Sequence, residues 1–124
     1  TRTEIQSVMD GKHLVFNQPI LEKIVERFRR AVNAESMRQR AAIAYEIDEY
    51  DERFLRHLAL GYTKDMIASL RTMPFSPKSL ERRQADLIAR LFPEEEQRGV
   101  NVTRLVVRAI ELHIIEPDNL VADD

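Results

Sequence analysis

Between Gly61 and Arg83 the chain reads GYTKDMIASLRTMPFSPKSLERR. Few folds accommodate that order. Gly61 stops the helix before it. Thr63 suits a helix N-cap, and Met66, Ile67 and Leu70 give the next short helix an inward face. Pro74 and Pro77 bound a turn. Ser76 then caps a second helix with Pro77 at its first position, and Pro93 ends that helix after about Leu91. Strand signals are weak elsewhere and Gly is scarce, so the expected fold class is all-α.

The flanks follow the same period. Residues 4–9 read as the last turns of a helix ending at Gly11. Pro19 opens a helix whose stripe is Leu21, Ile24, Val25, Phe28, Ala31 and Val32. The stripe resumes in a shifted frame at Met37, Ala41, Ala44 and Tyr45, which predicts a hinge near residues 33–36 or two successive helices. Asp48 is an N-cap with Asp51 three residues on, an acidic variant of the capping box. Phe54, Leu55 and Leu58 are its buried face. Residues 93–99 form a charged loop. A last helix from about Asn101 carries Val102, Leu105, Val106, Ala109, Ile110 and His113. Residues 116–124 read as a frayed acidic tail.

Several chemistries are disfavoured. The chain has no cysteine, so no disulfide, thiolate metal site or cysteine nucleophile is available. His13, His57 and His113 have no metal-like spacing. The acids Asp48, Asp51 and Glu52, and Glu94, Glu95 and Glu96, have caps or loops to explain them and no basic partner at catalytic spacing. No active site, no cofactor and no metal are therefore expected. No apolar run is long enough to span a membrane, and no signal peptide is visible. The expected compartment is the cytoplasm. Because the chain starts at Thr1, an upstream domain is expected.

The net charge of −2 hides an asymmetry. Residues 53–108 hold 11 Lys+Arg against 6 Asp+Glu, and the remainder holds 8 against 15. A basic centre between acidic ends points to an anionic partner. On a helical wheel Leu80, Gln84, Leu87, Ile88 and Leu91 form the core face of the helix after Ser76. Lys78, Arg82, Ala85, Asp86 and Ala89 lie opposite, flanked by Ser79, Arg83 and Arg90. That is the outline of a helix-turn-helix whose second helix enters the DNA major groove. Arg82 and Arg83 suit guanine edges or phosphates, and Thr63 and Lys64 suit the backbone. The expected DNA-binding residues are Thr63, Lys64, Ser76, Lys78, Ser79, Arg82 and Arg83.

Residues 47–115 resemble the DNA-binding domain of LuxR/NarL-type transcription factors. The residues that carry the resemblance are Ile47, Asp48 and Asp51; Phe54, Leu55 and Gly61; Thr63, Ile67 and Ala68; Ser76, Lys78, Ser79 and Leu80; and Arg90 with Leu91. Upstream, VMDGKHLVFNQPILEKIVERF has the order of a receiver's last helix, a Gly, an apolar-Pro step and a linker helix. The turn before Ser76 and the loop after Leu91 are longer than the family norm. Glu81, Ala85 and Met66 stand where the family has charged residues.

The resemblance implies a four-helix LuxR-like helix-turn-helix domain after a long linker helix or helix pair. Residues 1–17 would be the stump of a receiver, 18–46 the linker, 47–115 the DNA-binding domain and 116–124 the tail. It implies the output domain of a bacterial two-component response regulator. That domain would bind double-stranded DNA as a homodimer and be governed by a sensor kinase through a receiver. The last helix would be the dimer element, with Val102, Val106, Ile110 and Ile114 as its patch. The alternatives are a helical protein-protein interaction module working through the Leu21, Ile24, Phe28 and Ala31 stripe, or a sigma-region-4-like domain without autonomous DNA binding.

Overall fold

Helix α1 (Gln18–Ala44) runs without a break through the segment where a hinge or a helix pair is expected. It opens the computed structural model, which describes residues 18–124. The helix expected to end at Gly11 and the receiver stump at 1–17 lie outside the described residues. Continuity has a plain cause. After Pro19, α1 contains neither Gly nor Pro, and a shifted apolar frame alone does not break a helix. Local pairs also bridge the shift, since Glu35 meets Arg38 and accepts from Gln39 at 3.1 Å.

The chain divides into two compact units within α1, between Asn33 and Ala34. In the first unit the side chains of Ile20, Ile24, Val25, Phe28 and Val32 are all exposed. The second unit begins at Ala34, earlier than the boundary expected after residue 46. The reason is visible at Ala41, which is buried in that unit's core.

Four further helices build the second unit among the described residues: α2 (Glu49–Ala59), α3 (Lys64–Ala68), α4 (Pro77–Leu91) and α5 (Val102–Glu111). The all-α expectation holds, and a four-helix helix-turn-helix arrangement is compatible with this order. Each of these four helices starts after a capping residue. Asp48 and Asp51 exchange side-chain and backbone bonds in a full capping box, and Thr63, Ser76 and Asn101 accept from the N–H three residues on. Each such cap contributes about 1 kcal/mol. Gly61 follows α2 with φ +91°, a conformation that favours glycine.

Helix α2 packs on α5, and α3 packs on α4. Phe54, Leu55, Ile67, Leu80, Leu87 and Leu105 meet in a fully buried centre, each contributing about 1.5–3 kcal/mol of apolar burial. Met73 from the turn joins it. Met66 does not, being 48% exposed rather than inward, because α3 is only five residues long and turns Ile67 and Ala68 to the core. Ile114, expected on a dimer patch, is buried in the chain's own core beyond the end of α5. His113, expected on the last helix, lies past its end with φ +64°.

The acidic tail is not frayed. A single turn of 3₁₀ helix at Pro117–Asn119 brings residues 120–124 back over α2. His57, fully buried on α2, accepts the Asp123 backbone N–H at Nε2 (2.8 Å), and its Nδ1 donates to the Arg53 carbonyl (2.7 Å). The Asp123 carboxylate receives Thr72 Oγ1 at 2.6 Å and the Arg56 guanidinium at 3.1 Å. Burial pushes the Asp123 carboxyl up, but the Thr72 hydroxyl and Arg56 outweigh it, so its pKa lies below the ordinary aspartate value. Burial likewise disfavours the charged Arg56, and Glu52 with Asp123 outweigh that, raising its pKa.

The consequence for pH has a definite sign. A depressed carboxyl pKa stabilises this strap of residues 120–124 above the unfolded value, and that contribution is lost as pH falls through the folded one. The strap is therefore expected to detach below about pH 4, the unfolded aspartate range. Hydrogen exchange at the Asp123 amide across an acid titration checks this. Asp123→Asn is expected to remove the acid step, and an unchanged step in that variant would refute the assignment.

Candidate nucleic-acid interface

Helix α4 is fixed at its start by Ser76, whose Oγ accepts the Ser79 N–H at 3.1 Å, with Pro77 in the first turn. Its long axis is then set by Leu80, Leu87 and Leu91, all buried. Those three lie at i, i+7 and i+11, one stripe of the helix. The opposite face presents Lys78, Glu81, Arg82, Ala85, Asp86 and Ala89, every one exposed.

Two arginines of α4 are spoken for. Arg83 meets Asp51 Oδ1 at 2.6 Å and Asp48 at 3.4 Å, with its guanidinium 4.6 Å from the centre of the Phe75 ring. Arg90 meets Asp51 Oδ2 at 3.3 Å and donates to the Glu46 carbonyl. Asp51 is 2% exposed. One buried carboxylate thus closes the α2 capping box and holds two guanidinium groups of α4. A buried carboxylate needs such compensation, and its geometry here fixes the angle at which α4 leaves the core.

The seven residues singled out in the sequence therefore divide. Lys78 and Arg82 stand on the exposed face, and neither has an ion-pair partner among the described residues. Ser79 is half-buried beside them. Ser76 and Thr63 spend their hydroxyls as caps of α4 and α3, Thr63 accepting the Met66 N–H at 3.1 Å. Lys64 is half-buried at the first residue of α3. Arg83 is 20% exposed and turned toward Asp51 rather than toward solvent.

A cleft of about 410 Å³ runs beside α4, lined by Ser79, Arg82, Arg83, Asp86 and Arg90 and by Asp48, Asp51 and Phe75. Its lining mixes both signs of charge. Sequence reasoning missed Phe75, which meets Tyr50 of α2. The two rings stack edge to face at 5.1 Å and wall the aromatic seat for Arg83. The signal of Phe75 was faint, one aromatic between two turn prolines with no helical period. No helix among the described residues is long and apolar enough to cross a membrane.

Residues 15–124 match the model of a family described as one of unknown function. No curated protein and no solved structure matches the chain.

Proposed function

Starting from a chain that belongs to the DUF5932 family, a family of unknown function, we propose that it binds double-stranded DNA through α3, the turn and α4. The observation that carries this reading is the division of labour on α4. Arg83 and Arg90 are locked to Asp51, while Lys78, Arg82 and the small residues Ala85 and Ala89 stay outward. A rigidly aimed helix with cations and alanines on its outer face suits close approach to a groove. Lys64, at the start of α3, suits a phosphate. Glu81 and Asp86 share the outer face. They repel phosphate but accept from cytosine amino groups, so they narrow the sequences tolerated.

The reading is that of a binding module in the cytoplasm without an active site. With the LuxR/NarL resemblance it becomes the output domain of a bacterial response regulator. That regulator controls transcription as a homodimer and takes its signal from a sensor kinase through a receiver.

The test is fluorescence anisotropy with mixed duplex DNA across a salt series. Affinity is expected to fall steeply as salt rises. Arg82→Ala is expected to weaken binding by about 1–3 kcal/mol, or about 5- to 150-fold, at unchanged melting temperature. Arg83→Ala is expected to act first on stability. Binding that ignores both salt and Arg82 would sink the proposal. The exposed Ile24, Val25, Phe28 and Val32 of α1 favour a second reading, a helical protein-interaction module. Docking through apolar anchors would be nearly indifferent to salt.

A further inference from the structure

We propose that the socket made by Arg53, Arg56, His57 and Thr72 is a binding site for an acidic peptide. The chain's own residues 121–123 fill it in cis, and an equivalent segment of another chain can fill it in trans. The site reads main chain and side chain together. Arg56 donates to the Val121 carbonyl, and His57 Nε2 accepts the Asp123 N–H at 2.8 Å. Arg56 and Thr72 then take the Asp123 carboxylate at 3.1 and 2.6 Å. The ligand so defined is an extended segment with a free carbonyl two residues before an aspartate.

Two of the receiving groups, His57 and Arg56, are set by α2 itself and not by the tail, and Thr72 comes from the turn after α3. His57 is fully buried, and the bond from its Nδ1 to the Arg53 carbonyl leaves Nε2 as the acceptor. The Arg56 guanidinium is 15% exposed and is steadied by Glu52 at 3.0 Å. With the tail away, the His57 Nε2 acceptor loses its partner, while Arg56 keeps Glu52 and stays aimed at the socket.

The ligand, by contrast, is held lightly. Val121 is 66% exposed, Ala122 and Asp124 are also exposed, and among residues 120–124 only Leu120 packs against the core. A segment held by polar contacts with little apolar burial opens at low free energy and exchanges readily. A tethered tail also competes at an effective concentration of about millimolar, so an outside peptide gains access chiefly when the tail's own aspartate is removed.

The experiment uses the full chain and a fluorescent peptide of residues 117–124, PDNLVADD. Anisotropy is measured with the wild-type chain, with Asp123→Ala, and with Asp123→Ala combined with Thr72→Val. Circular dichroism confirms that each chain is folded. The peptide is expected to bind the Asp123→Ala chain at least about tenfold more tightly than wild type, because the cis competitor is weakened. Binding is expected to be lost when the peptide carries asparagine at the position of Asp123, and to fall when Thr72 is replaced. A folded Asp123→Ala chain that does not bind, or that binds the aspartate and asparagine peptides alike, overturns the proposal. Arg56→Gln, which removes the cation that takes the carboxylate, serves as the second socket variant if Thr72→Val does not fold. A peptide affinity unmoved by either socket variant also overturns it.

Discussion

Asp51→Ala is expected to be the most destabilising polar substitution in the chain, at about 3 kcal/mol or more. Three losses coincide at this residue. The carboxylate accepts the Asp48 N–H at 3.1 Å, so removing it undoes half of the capping box. It also neutralises Arg83 and Arg90, whose side chains are 20% and 29% exposed. Both can turn partly toward water, which keeps the expected cost at the low end of the range for breaking a buried pair. Replacing the arginines instead would leave Asp51 charged, and at 2% exposure it has no water to turn to.

Urea denaturation reads this directly as a fall in midpoint at constant slope. Asp51→Asn separates the terms, since it keeps an acceptor for the cap and loses only the charge. A loss under about 1 kcal/mol for Asp51→Ala would place the pairs with ordinary surface ion pairs and remove Asp51 as the anchor of α4.

Ile67→Ala is expected to cost about 2–5 kcal/mol, with an effect concentrated in one place. Helix α3 has five residues, and Ile67 is its one buried side chain. A helix that short does not persist in water on its own, so packing must hold it. Truncating Ile67 leaves Thr63 capping a helix whose remaining core contact is the small, partly buried Ala68. Hydrogen exchange is expected to quicken across α3 and the turn well before it quickens in α2, whose Phe54 and Leu55 remain in place. A uniform acceleration across all helices would instead mean that α3 opens only with the whole unit.

What could be read in the sequence was local. Asp48, Thr63 and Ser76 were legible as caps, because a cap joins a side chain to an N–H three residues away. The stripe Leu80, Leu87 and Leu91 was legible because helix geometry alone places it. The locking of Arg83 was not legible. On a wheel it sits at the flank of α4, and its partner Asp51 is 32 residues away in sequence. The one hint was that Asp51 falls inside a capping box next to an apolar face, where a carboxylate seldom stays unpaired. The tail was misread for a related reason. Its acids suggested solvation, and only the packing of α2 shows that a buried imidazole waits for the Asp123 N–H. Met73 had no period to betray it, since turn residues reach the core one at a time.

The burial of Met73 gives the turn a chemical clock. Its thioether is wholly enclosed, while Met37 and Met66 are 42% and 48% exposed. Peroxide attacks a thioether according to its exposure. The two exposed methionines therefore time the reagent, and Met73 times the door. Sulfoxide at Met73 accumulates only from molecules whose turn has swung open, so its lag behind Met66 in the same tube measures how seldom that happens.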